Sequence, residues 1–245
     1  EWLFYTGVTG IPMWVYSGGN DLYATDGISH ANITRASGGY TLLPYGWTGG
    51  SLEGIPVFNN GVDIPQMWKP PGLSTLLQDL SNWPANVRAN TLRAFKRYLM
   101  AFDVTIDGTR YPTMVKWSSQ APTGAVPLSW NEADETIDAG QWVLPTDDEE
   151  GDIVDAVPLR DNLIIYRQNS TWQATYVGGV DIFRFIRLFK HVGILSRDCA
   201  TEFTSGRHAV FTGDDVVLID GPSTRSLLDT RLRAAITLDL DNYHK

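Results

Sequence analysis

One outline recurs along this chain: strand, tight polar turn, strand, Asp-Gly. Trp14–Gly27 reads WVYSGGNDLYATDG and His208–Gly221 reads HAVFTGDDVVLIDG. Gly19 aligns with Gly213, Asp21 with Asp215, and Asp26-Gly27 with Asp220-Gly221. Glycine beside Asp or Asn supplies the positive φ of a hairpin turn. Leu163–Gly179 follows the outline with Asn169-Ser170 at its turn, and Gly54–Trp68 is a fourth hairpin turning at Asn60-Gly61. In Arg97–Gly108, residues Tyr98, Met100, Phe102, Val104 and Ile106 alternate with mostly small or polar ones, the period of a strand with one buried face. A helical spacing through Leu92, Phe95, Leu99 and Phe102 competes with that reading; the β-branched residues and the closing Asp-Gly favour the strand.

The hairpins end near positions 27, 68, 108, 178 and 221, in steps of 41, 40, 70 and 43 residues. Steps of about 40 residues are those of a propeller blade. The expected fold is therefore all-β and propeller-like, with about five blades of antiparallel sheet over residues 1–222. A short helix and tail follow over 223–245, leading into a further segment of a longer chain. A two-sheet sandwich also contains many hairpins, but the regular step favours radial repetition, in which each sheet covers its neighbour and only short edges remain. Two segments read as helix. Leu73–Leu80 makes a turn or two, and Ser223–Ile236 places Leu228, Leu232, Ala235 and Ile236 on one face with Ser223 or Ser226 as N-cap.

The long step opens with GTRYPTMVKWSSQAPTGAVPLSWN, Gly108–Asn131, where turn formers stand beside bulky aromatics. As a passage from one blade to the next, it brings Trp117 and Trp130 to a junction of flat apolar faces, with Trp142 beyond them. The stretch is similar to β-propeller tail proteins of short-tailed bacteriophages: Pro112, Val115 and Trp117-Ser118 are followed by Trp130. Ala139–Gly179 continues the resemblance with Leu159, Asp161, Leu163, Ile165-Tyr166 and then Tyr176 before Gly178-Gly179. Val180–Gly221 resembles the following blade, with Phe183, Phe185 and a closing Asp220-Gly221.

The resemblance runs from about Arg93 to Arg233 and points to the tail nozzle, or packaged-DNA stabilisation, proteins of podoviruses. It implies a structural protein of the virion tail and no enzyme. Such a protein forms a ring with copies of itself, a hexamer, below the portal and adaptor. DNA passes through it non-specifically, and tail fibres or spikes dock on it. No cofactor is implied.

Composition agrees with a passive channel. The formal charge of −9 argues against a surface that grips DNA through Lys and Arg. One cysteine, Cys199, allows no internal disulfide. Neither an apolar run near 20 residues, as a membrane span requires, nor a signal-peptide pattern is seen. The four histidines, His30, His191, His208 and His244, lack metal-ligand spacing. The acidic run TDDEEGD contributes Asp147, Asp148, Glu149, Glu150 and Asp152. Three readings stay open for it: a solvated loop, an acidic rim or lumen that lets DNA slide past, or a carboxylate pair for glycoside hydrolysis. Arg184, Arg187 and Lys190 interleave with Phe183, Phe185 and Phe189, which suits either single-strand binding or a strand with a Phe core face and a basic solvent face. The nine Trp motivate an alternative function, a carbohydrate-binding or glycan-active propeller.

Overall fold

The computed structural model describes residues 2–5 (backbone only), 12–41, 46–145, 150–204 and 206–235. The chain is all-β, with five four-stranded antiparallel sheets and one short helix among the described residues. Each sheet is a meander of four strands consecutive in sequence. The first holds β1 (Trp2–Tyr5), β2 (Pro12–Gly18), β3 (Asp21–Thr25) and β4 (His30–Asn32). The second holds β5 (Thr48–Leu52), β6 (Ile55–Asn59), β7 (Gln66–Met67) and β8 (Gln78–Asp79). The third holds β9 (Val87–Phe95), β10 (Tyr98–Ile106), β11 (Thr109–Trp117) and β12 (Gly140–Val143). The fourth holds β13 (Ile153–Leu159), β14 (Asn162–Arg167), β15 (Ser170–Tyr176) and β16 (Phe183–Lys190). The fifth holds β17 (Ala200–Thr204), β18 (Arg207–Phe211), β19 (Val216–Asp220) and β20 (Ser223–Ser226). The chain divides into two compact units, Glu1–Val143 with the first three sheets and Leu144–Lys245 with the last two.

The repeated hairpins are the inner pairs of their sheets: β2–β3, β6–β7, β14–β15 and β18–β19. Inner strands are paired on both edges and carry buried apolar residues, at alternate positions in β2 and β18 and throughout β6. All five residues of β6 are buried. The outer strands β8 and β20 are exposed throughout, and nothing apolar marks them in the sequence.

In the first unit the second sheet is flanked by apolar clusters on both faces. Val57 and Met67 join Leu92, Leu99, Ala101 and Met114 of the third sheet. Phe58 and Trp68 join Val15, Leu22 and Ala24 of the first. Polar ties accompany this packing. The Asn59 amide donates to the Ala89 carbonyl at 2.9 Å, and the Thr48 hydroxyl accepts from the Leu92 N–H at 3.1 Å. In the second unit Ile164 and Tyr166 pack against Val210 and Ile219. There Tyr166 Oη lies 2.7 Å from His208 Nδ1, and His208 Nε2 lies 2.7 Å from the Pro158 carbonyl. A carbonyl only accepts, so Nε2 carries the proton and Nδ1 accepts from the tyrosine.

Four expectations are corrected. First, β10 is buried on both faces through its first seven residues, not on one. Leu99 and Ala101 belong to the second-sheet cluster, while Tyr98, Met100 and Phe102 are buried on the opposite face. A bulge at Asp103 (φ 52°) interrupts the strand, and its carboxylate takes a two-pronged contact from Arg110, both bonds 2.7 Å.

Second, Leu73–Leu80 is not helical. After a turn from Gly72 to Thr75 its backbone is committed elsewhere: the Leu77 N–H donates to Ile33 and the Leu80 N–H to Pro65. Third, Ser223–Ser226 pairs with β19 as a strand, so the fifth sheet runs past residue 222. The helix spans residues 230–235. Its N-cap is Asp229, whose carboxylate accepts from the N–H groups of Arg231 and Leu232.

Fourth, Gly108–Asn131 does not leave its sheet. Asp107-Gly108, both at positive φ (50° and 78°), make a two-residue turn between the paired Ile106 and Thr109. The chain then loops out over residues 118–139 and returns as β12 beside β11. That internal excursion contributes to the long step of 70 residues.

Candidate functional site

Of the acidic run, Glu150 and Asp152 are described. Asp147, Asp148 and Glu149 lie outside the described residues. Glu150 is 1% exposed, so the rim placement does not hold for its side chain. Its carboxylate pairs with the buried Arg167 at 2.6 Å and with the half-exposed Arg187. It also accepts from the Ser170 hydroxyl at 2.9 Å and from the Trp172 indole N–H at 3.1 Å. Burial pushes this carboxyl up. The bonds from Arg187, Ser170 and Trp172, with the charge of Arg167, outweigh burial and hold it below the ordinary carboxylate value.

Arg167 also donates to the carbonyls of Pro145 and Gly151. The cluster thus fastens both ends of residues 145–151 to the fourth sheet. Asp152 stays partly buried, its backbone exchanging bonds with Gln168.

Sequence reasoning missed both arginine partners. Arg187 shares parity with Phe183 and Phe185, and the register places it opposite Trp172, with its guanidinium 5.9 Å from that ring's centre. It therefore sits on the Phe side of β16, not on a separate basic face. The signal was present in the spacing 183, 185, 187. Arg167 ends the apolar run Leu163–Tyr166, and a cation there signals a buried partner.

The three tryptophans have different fates. Trp117 is buried on β11, and its indole N–H donates to the Asp138 carbonyl at 3.0 Å. A methyl group placed on Gly140, its strand partner, would come within 2.5 Å of the ring, so glycine is required there. Trp130 is 3% exposed in the cluster shared by the second and third sheets, edge-on to Trp83 with ring centres 4.7 Å apart. Trp142, on the outer strand β12, is 53% exposed.

Around Trp130 the first unit contains a cleft of about 460 Å³. One wall is the connection between β8 and β9, with Asn82, Pro84 and Asn86; the other is the loop after β11, with Leu128, Ser129 and Asn131. Lys116 of β11 reaches it with a side chain 3% exposed and pairs with Glu132, which is 38% exposed. Burial raises the Glu132 carboxyl, but the bond from Lys116 more than compensates, leaving it below its usual range. The Trp130 indole N–H is buried and has no hydrogen-bond partner among the described residues. This arrangement suits recognition of a small polar molecule. Among the described residues no group of His, Cys, Asp and Glu is placed to hold a metal ion, and no helix is long and apolar enough to cross a membrane.

Comparison with models of known protein families finds no match, and comparison with curated proteins finds none either.

Proposed function

We propose that the chain is the β-propeller part of a podovirus tail nozzle, a structural component of the virion tail. The observation that carries this reading is the succession of five four-stranded meanders in strict chain order, the strand plan of propeller blades. In this reading the sheets are blades about one axis. Copies form a hexameric ring below the portal and adaptor, and DNA passes through it. The net charge of −9 suits a conduit from which DNA must slide free. The outer strands offer docking surface to fibres or spikes. The role is passive, without catalysis or cofactor.

Engagement of Glu150 by two arginines weighs against this one carboxylate as the acid or base of the glycan-active alternative. Electron microscopy of the full-length protein with its adaptor tests the proposal. The expected result is a six-fold ring carrying these sheets. A protein that stays monomeric and never joins a tail overturns it.

A further inference from the structure

We propose that the cleft beside Lys116 and Glu132 binds a neutral, polyhydroxylated ring, a pyranose, taken either as a free sugar or as the terminal residue of a glycan. This goes beyond the scaffold role and does not depend on it. The first argument is charge. Lys116 and Glu132 neutralise each other inside the cleft, and Glu132 is the more exposed partner. An anion would approach a carboxylate, and a cation would find that carboxylate already paired.

The second argument is the pattern of unused hydrogen-bonding groups. Asn82 and Asn86 each use one side-chain N–H, on the Pro127 carbonyl and on Asp107, and keep the second N–H and the amide oxygen. Asn131 spends its oxygen on the Ala133 N–H and keeps its amide donor. The cleft residues thus keep both donors and acceptors, which fits a ligand whose groups are both, and hydroxyls are. Val87, Ile106 and Leu128 add apolar lining for the C–H face of a ring. The third argument is the buried, unpaired indole N–H of Trp130. Such a donor is costly to leave unsatisfied, and a ligand hydroxyl, or a water held with it, completes it. The volume, about 460 Å³, falls within the range of small-molecule sites.

The test uses the full chain with ¹⁵N-labelled tryptophan. The Trp130 indole resonance is assigned by its disappearance in Trp130→Phe. Methyl α-mannopyranoside, methyl β-galactopyranoside, N-acetylglucosamine and inorganic phosphate are titrated in turn at millimolar concentrations, and a glycan array is probed in parallel. A saturable shift of this resonance by a glycoside but not by phosphate is expected. Asn131→Ala and Asn86→Ala, both at exposed positions, should each weaken the binding about three- to tenfold, while the other indole resonances report an intact fold. Array binding lost in the same variants without a free-sugar response identifies a glycan terminus as the source. No response to any glycoside or array glycan, a saturable response to phosphate, or binding untouched by both substitutions overturns the proposal.

Discussion

Two ion-pair sites divide burial in opposite ways. At Glu150 the acid is 1% exposed, one arginine is equally buried, and the second reaches in from the surface. At Lys116 the cation is 3% exposed and its acid partner is 38% exposed. A buried charge needs its partner, whereas a half-exposed one can fall back on water. The first site is therefore a fastening, in which Glu150 and Arg167 depend on each other. The second leaves a paired acid half-exposed at a cleft.

The largest effect that sharpens this contrast is at Arg167. Arg167→Met leaves Glu150 buried with one half-exposed cation and strips the carbonyls of Pro145 and Gly151 of their donor. The expected loss is about 3–5 kcal/mol, read from the urea midpoint at constant m-value. Replacing both Arg167 and Glu150 by leucine should recover much of that loss, because the desolvation penalty disappears with the charges. A loss below about 1 kcal/mol in the single variant would erase the distinction between the two sites.

The Lys116 pair should respond less and unevenly. Glu132→Gln leaves the buried ammonium with neutral acceptors and no counter-charge, Gln141 lying 3.4 Å away, and should cost about 1–2 kcal/mol, discounted for the exposure of the lost acid. Lys116→Met leaves an acid that water can solvate, and should cost about 1 kcal/mol or less. Equal losses would mean that exposure does not decide which partner matters.

Acid titration separates three groups by window. Glu150 has a folded pKa below its unfolded value of about 4.3. Its contribution is fully present above that unfolded value and is lost as pH falls through the folded one, so wild type and Glu150→Gln should converge only at strongly acid pH. Glu132 follows the same sign. His208 acts earlier. Burial pushes its pKa down, because desolvation penalises the charged ring more than the Pro158 carbonyl and the charge of Glu202 favour it. Stability from the neutral ring is complete above about pH 6.5 and falls below it. His208→Gln should flatten that first decline, measured as unfolding free energy against pH.

How much of this was legible in the sequence follows from what each residue touches. The inner hairpins were legible because their strands carry buried apolar residues at alternate or successive positions, and Asp-Gly closes two of them. The outer strands were not: Gln78–Asp79 and Ser223–Ser226 are exposed and polar, with no apolar period to mark them. The Leu73–Leu80 segment misled because its leucines answer to neighbouring segments and not to a helix period. Of the site residues, Trp117 and Trp130 announced burial by type, and Trp142 did so misleadingly. Glu150 looked like one acid among five, since nothing local distinguishes it. Its partners Arg167 and Arg187 come from β14 and β16, and only strand register brings them together.

The smallest effect probes the contrast through salt. Added salt screens charges that face water and leaves buried pairs nearly untouched. The pair at Lys116 has one such charge, and the Glu150–Arg167 contact has none. Raising NaCl from low to molar concentration should therefore shrink the destabilisation caused by Glu132→Gln by a few tenths of a kcal/mol while leaving that of Arg167→Met within error. Both values come from parallel urea titrations of the two variants and wild type at each salt. If the Arg167 variant proves the more salt-sensitive, the charge at Glu150 is reached by solvent, and the fastening assigned to it fails.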